Sequence, residues 1–300
     1  MMERVSSWGL GQSLLRSAMA VQARLAEKQG ENASGLKGES YADLSADSAR
    51  LISMESDLSR LRTRADNTRT ALDRVEAMHS ALGSMVDLAG DLRSTLSGLL
   101  SSTDGTVDYA SVGQGLLDDL AGLMNLQVDG RYLFGGGRTT SAPVDVSLLS
   151  VPATPSTADA AYYLGDGAVQ SVTVSDQSTI GYGVTAGESG FEKILRAANI
   201  LAHIDSSNPD DDAVSGAYDL ATEALDGLLA AQGRLSVDAG RLEASQERQD
   251  TAITLLGDRI SDAKSVDVAA VTVQISQLQT ILEASYSALS KISSLSLTKF

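Results

Sequence analysis

Three hundred residues with 23 basic and 39 acidic side chains carry a formal net charge of −16, and none of them is cysteine. That charge speaks against nucleic acid or an anionic membrane as the main partner, because phosphate binding draws on clustered Lys and Arg. The missing thiols remove disulfides, thiolate zinc, iron–sulfur clusters and a cysteine nucleophile, and aromatics at 4% argue against a large aromatic-packed enzyme core.

No stretch approaches the roughly 18 apolar residues of a membrane span. The opening Met1-Met2-Glu3-Arg4-Val5-Ser6-Ser7-Trp8 lacks an apolar h-region, so no cleavable secretory signal is expected. Along the chain, Leu14, Ala18, Val21 and Leu25 form a short helical seam with 3-4 spacing. From residue 51 a long heptad run follows. One series reads Leu51, Leu58, Ala65, Leu72, His79, Val86, Arg93, Leu100; its partner reads Met54, Leu61, Thr68, Val75, Leu82, Ala89, Leu96. Such a run predicts one helix of about 50 residues packed along its length, with Gly83, Gly90 and Gly98 weakening its later part. Val112, Leu116, Leu120, Leu123 and Met124 predict a further helix over 107–128.

The period then changes. Arg131–Phe134, Gln170–Val174 and Thr179–Val184 are short β-branched or aromatic runs broken by Gly, and they predict strands. Phe191, Ile194, Leu195, Ala198 and Leu201 start a helical return. All four prolines, at 143, 152, 155 and 209, lie in this middle part. A helical run from about Ala213 to Leu295 closes the chain. Its last seam is Val268, Val271, Ile275, Leu278, Leu282, Ser285, Leu289, Ile292. Between 231 and 262 the seam is poorer, with Asp238, Ser245 and Gln249 among Leu235, Leu242, Ala252 and Leu256, which predicts a lightly buried stretch. Charge follows the same division: residues 1–103 and 231–300 are each −1, and residues 104–230 hold −14.

The expected fold is mainly α, a long antiparallel helical rod or coiled-coil bundle formed by the two ends, with an inserted β-rich domain. Expected boundaries are an N-terminal assembly segment at 1–45, rod halves at 46–130 and 191–264, the β-rich insert at 131–190, and a C-terminal assembly segment at 265–300.

Candidate chemistry is thin. His79 sits on the seam without a second ligand and reads as a packed histidine; His203 reads as a surface residue at a helix end. Asn208-Pro209-Asp210-Asp211-Asp212 lacks EF-hand spacing and suits the first turn of a helix. Gly135-Gly136-Gly137-Arg138 is a turn after a strand, without the Lys-Ser/Thr of a phosphate loop. Arg60, Arg62, Arg64, Arg69 and Arg74 interleave with Asp57, Asp66, Asp73 and Glu76 as a solvated, salt-bridged face. No catalytic, cofactor-binding or metal site is expected.

Three stretches carry a resemblance. Asp129-Gly130-Arg131-Tyr132-Leu133-Phe134-Gly135-Gly136, followed by Thr139-Thr140-Ser141-Ala142-Pro143, is similar to a Gly-Arg-Tyr-Leu/Ile-Phe-Gly/Ala-Gly turn of the hook–filament junction proteins, the third hook-associated proteins of the bacterial flagellin superfamily. The C-terminal run Leu278-Gln279-Thr280, Leu282–Tyr286 and Ile292–Leu297 resembles theirs, as, more weakly, does Ala33-Ser34-Gly35-Leu36-Lys37. Glu39–Leu44 departs from the Pro-Ser-Asp-Asp-Pro-like string the family often has there, and the start lacks a flagellin-like Asn-Thr-Asn.

The resemblance implies a structural axial protein of the flagellum, extracellular, exported by the flagellar type III apparatus without a cleaved signal. Its implied partners are the first hook-associated protein, flagellin, further copies of itself in a ring or helical layer, and an export chaperone at the C-terminal segment. The implied assembly interface is Leu14, Val21, Leu25, Ile275, Leu278, Leu282, Leu289 and Ile292. Two alternatives stay open: a flagellin-type filament subunit, and a cytoplasmic coiled-coil adaptor or signalling module.

Overall fold

The computed structural model describes residues 2–38, 48–101 and 107–297, with side chains described over 9–38, 48–101 and 107–292. In chain order the described elements are α1 (Met2–Ser34), α2 (Ser48–Ser101), α3 (Tyr109–Met124), β1 (Gln127–Val128), β2 (Arg131–Tyr132), a 3₁₀ turn at Val146–Leu148, β3 (Gln170–Ser175), β4 (Ser178–Tyr182), α4 (Ser189–Ala202), α5 (Asp211–Lys264) and α6 (Val268–Leu297). The architecture is mainly helical, and its β part amounts to two antiparallel hairpins. The chain divides into two units, one of residues 1–60 with 252–300 and one of residues 61–251.

The larger unit holds the main core. Its helices begin and end where the residues dictate. Asp108 caps α3 by accepting from the Ser111 N–H at 3.2 Å, and the Asp210 carboxylate accepts from Asp212 N ahead of α5. Asp211 and Asp212 occupy the first turn of α5, where the helix dipole favours negative charge. The helix pair α3–α4 approaches so closely that a Cβ on Gly113 would lie 2.3 Å from the Ala202 backbone nitrogen. Tyr109, Leu117, Leu120 and Met124 of α3 and Phe191, Ile194, Leu195 and Leu201 of α4 are buried there.

The heptad series on α2 behaves differently from expectation. Met54 and Leu61 are half-buried, and Thr68, Val75, Leu82, Ala89 and Leu96 are fully buried. The companion series starts buried at Leu51, Leu58 and Ala65, but Leu72, His79, Val86 and Arg93 are only half-buried and Leu100 is exposed. Their inward places go to the preceding residues, Ala71, Met78, Met85, Leu92 and Leu99. The buried positions step 3-3 once, from Ala65 through Thr68 to Ala71, before the 4-3 alternation resumes; this three-residue insertion in the heptad pattern, a stammer, moves the companion series back by one residue.

The hairpins differ in role. β1 and β2 pair Val128 with Arg131 around the two-residue loop Asp129-Gly130. Both loop residues have positive φ, 52° and 72°, as a type I′ turn requires. The β3–β4 hairpin alternates, and Val172, Val174 and Tyr182 are buried in the main core. It covers the stretch of α5 predicted to be lightly buried. Ser245 and Gln249 are in fact buried. The Gln249 Nε2 donates to the Val174 carbonyl at 2.9 Å, and the Asp238 carboxylate accepts from Gly183 N. Backbone of the hairpin thus satisfies the Gln249 amide donor, which lowers the cost of burying it.

In the smaller unit, Leu51, Leu58 and Ile260 form a compact cluster with Met54, Ile253, Leu256 and Ala263. The predicted run from 213 to 295 is interrupted at 265–267. There Asp267 restarts the helix by accepting from Ala269 N and Ala270 N at 3.0 and 3.1 Å. Gly35, with φ 71°, ends α1 through its N–H to the Glu31 carbonyl. The following residues run beside the α5–α6 joint: Lys37 N donates to Lys264 O, and Val266 N donates to Gly35 O. The Glu39–Leu44 departure lies outside the described residues.

Candidate assembly surface

The termini meet as a two-helix pair. α1 packs on α6, and it runs antiparallel to it. Thr272 Oγ1 lies 3.3 Å from Asn32 Oδ1, beside the Leu36–Ser265 bridge. Equal rises per residue from that contact bring Leu25 about level with Leu278, Val21 with Leu282, Ala18 with Ser285 and Leu14 with Leu289. Ala18 and Val271 are 2% and 3% exposed. Leu14, Val21, Leu25, Ile275, Leu278, Leu282, Leu289 and Ile292 are each half-buried. Two helices alone cannot close around a seam, so these eight side chains keep part of their apolar surface in water. Sequence reading missed how the stripe ends: Glu31 continues it and is buried against Lys28 at 2.7 Å. The two steps of three from Leu25 through Lys28 to Glu31 held that signal.

Around this seam lies further uncovered apolar surface. Leu10, Leu15 and Met19 on α1 and Val273, Ile281 and Tyr286 on α6 are exposed, Met19 to 63%. Contiguous exposed apolar area is a common property of interaction surfaces.

The turn motif Gly130-Arg131-Tyr132-Leu133-Phe134-Gly135 occupies a different place, in the larger unit. Leu133 and Phe134 are buried, and Phe134 packs against Phe191 with ring centroids 5.9 Å apart. Ala186 N donates to Phe134 O, and the buried Tyr162 hydroxyl donates to Ala186 O at 2.8 Å. Gly135 O accepts from both Arg138 N and Asp166 N. Gly136 has φ 68°, and a Cβ there would lie 2.3 Å from the Asp166 carbonyl oxygen, so no side chain fits. Arg138 donates to Leu164 O at 3.0 Å. The motif is a backbone knot that ties the first hairpin to residues 162–168 and to α4.

Asp166 tightens that knot. Its Oδ1 accepts from Gly137 N at 2.7 Å and Ala168 N at 3.0 Å. These backbone donors, with the nearby Arg138 charge, hold its carboxyl below the usual carboxylate range. Asp159 is lowered in the same sense by the N–H groups of Ser150 and Ala161. A carboxylate depressed on folding contributes stability above its unfolded pKa, and that contribution disappears as pH falls through the folded value. Thermal midpoints of the wild type should therefore fall steeply below about pH 4. In an Asp159→Asn/Asp166→Asn variant that acid limb should be flatter; an unchanged limb would show that these contacts carry no folding linkage.

The remaining singled-out residues stand apart from one another. His79 is half-buried on α2. His203 is exposed at the end of α4, with Nδ1 2.9 Å from Asn199 O. Arg60 pairs with Asp57 on its own helix, whereas Arg64 reaches Asp176 in the β3–β4 turn. Among the described residues no group of three or more His, Asp or Glu is gathered as for a metal ion, and no helix is long and apolar enough to cross a membrane.

No family model and no curated protein matches the sequence. Solved structures do match in three dimensions. A presumed flagellar hook-associated protein from Vibrio parahaemolyticus superposes with TM-score 0.59 at 16% identity, over 74% of this chain and 100% of that one. The chain has the fold of flagellar hook-associated proteins. FlgL of Bacillus cereus matches with TM-score 0.50 at 12% identity, over 72% of this chain and 98% of that one. Hook-associated protein 3 of Legionella pneumophila matches with TM-score 0.52 at 11% identity, over 70% and 97%. The hook-associated fold thus embraces nearly the whole length of each of these proteins, and this chain adds residues beyond them.

Proposed function

We propose that the protein is a structural axial component of the bacterial flagellum that joins the hook, through the first hook-associated protein, to the flagellin filament. It works by packing and performs no chemistry. The observation that carries this reading is the α1–α6 pair: a coherent seam left half-buried and ringed by exposed apolar side chains. Leu14, Val21 and Leu25 with Ile275, Leu278, Leu282, Leu289 and Ile292 form the assembly interface, closed by the same helices of neighbouring copies in a ring or helical layer. Near-neutral ends tolerate that crowding, and the −14 on residues 104–230 keeps the middle hydrated on the outside. The protein is exported by the flagellar type III apparatus without a cleaved signal and acts outside the cell, with a chaperone shielding its C-terminal segment before export.

Deletion of the gene tests this. Cells should keep hooks, lose filaments and release flagellin into the medium. Filaments of normal length in the deletion strain would exclude the junction role, and lost filaments with no flagellin released into the medium would assign the chain to flagellin instead.

A further inference from the structure

The seam between α2 and α5 is almost uniform. Gly83 of α2 faces Gln232 of α5, and Arg69 faces Gln246, so the two helices run antiparallel within the larger unit. Seven-residue series on both are fully buried: Val75, Leu82, Ala89 and Leu96 on α2, and Ala221, Leu228, Leu235 and Leu242 on α5. Each series continues one step further in the same direction in space, to Thr68 on α2 and Gln249 on α5. These two, with Ser245, form a buried polar layer at one end of an apolar seam, 0%, 5% and 3% exposed.

Apolar layers of this kind match one another after a slip, because Leu on Ala and Leu on Leu differ little in chemistry. The polar layer does not. Gln249 Nε2 has one acceptor, the Val174 carbonyl of the β3–β4 hairpin, and its Oε1 meets no donor among the described residues. Thr68 Oγ1 is turned back to the Arg64 carbonyl at 2.9 Å. Any displacement of the hairpin or of either helix strands the Gln249 donor in an apolar interior, where an unmade hydrogen bond is costly. At the opposite end of the seam, the close α3–α4 contact at Gly113 and Ala202 holds the bundle independently.

We propose that the Thr68–Ser245–Gln249 layer is a register lock, fixing how α2, α5 and the β3–β4 hairpin align at the end of the bundle that α3 and α4 do not brace. Its contribution is uniqueness of alignment, and it comes at some cost in stability because one buried amide oxygen goes unmatched. The lock stands on the larger unit alone and does not depend on the flagellar reading.

The absence of native cysteine allows clean spin labelling. Pairs of cysteines at exposed positions, Gln177→Cys with Glu247→Cys beside the layer and Ser94→Cys with Asp226→Cys far from it, should each give one narrow distance by pulsed electron resonance in the full-length protein. In a Thr68→Val/Gln249→Leu background the near pair should broaden to at least twice its original width while the far pair stays narrow, with the thermal midpoint unchanged or raised. Gln249→Met, which keeps length and volume, should do the same to a smaller degree and serves if the double variant loses helix by circular dichroism. A near pair as narrow as in the parent would overturn the lock. So would broadening accompanied by a lowered midpoint, since that is simple loss of packing.

Discussion

Removal of residues 276–300 should leave a soluble protein whose larger unit melts as before, but which no longer assembles and no longer supports motility. The cut takes away Leu278, Leu282, Leu289 and Ile292, so that on α1 Leu25, Val21, Ala18 and Leu14 lose the residues level with them. A single helix without its packed face is marginal in water, and α1 is therefore expected to unwind with the deleted part of α6. The far-UV helical signal should drop by α1 and most of α6 together, a larger loss than the deleted residues alone account for. The buried core from Ala71 to Leu242 contains nothing from the deleted segment, so its cooperative transition stays. Retained motility would remove the assembly role assigned to the terminal pair, and loss of the larger unit's transition would show that the two units are not separable in stability.

Phe134→Ala should be the most damaging single substitution in the turn motif. Phe134 is fully buried, packs with its ring tilted against Phe191, and its backbone oxygen holds Ala186. Truncating a buried phenylalanine costs about 3–5 kcal/mol through lost transfer energy and the cavity left behind. The knot gives little room for collapse, because Gly135 and Gly136 press directly on the Arg138 and Asp166 backbones. Chemical denaturation of the larger unit should register a shift of that size. Arg131→Ala, on an exposed strand position of the same motif, should change stability by less than about 0.5 kcal/mol. Equal effects from the two would contradict a special role for the buried Phe134 ring in holding the fold.

Much of the architecture was legible because it follows period. The α1 and α6 seams and the inward series from Met54 to Leu96 could be read from 3-4 spacing alone. What escaped was set by geometry that local pattern does not carry. The companion series on α2 left the core at Leu72 because one 3-3 step, Ala65-Thr68-Ala71, breaks the 3-4 alternation and hands its place to the preceding residue. Gln249 looked too polar to bury because its partner, the Val174 carbonyl, is 75 residues away. The joint at 265–267 has neither Gly nor Pro, and only the Asp267 cap marks it. The Asp166 carboxylate that completes the glycine turn is 29 residues from Gly137, so the turn's need for Gly136 was visible only once both strands of chain were in place.

The eight residues of the proposed interface show the opposite case: each lies half-buried on the seam that its spacing predicts, and their contact with further copies belongs to the proposal. That is also where the functional reading concentrates. An amphipathic pair with polar residues on its outer face would be a finished domain. On this one Met19, Val273, Ile281 and Tyr286 are exposed, and the proposed assembly role is argued from that.

The most direct test is to locate the protein on isolated flagella by immunogold electron microscopy, using antibody raised against the acidic middle of the chain. The account predicts gold confined to one narrow band at the boundary of hook and filament, with none along either. Label distributed along the filament, or absent from flagella and confined to the cell body, would contradict it.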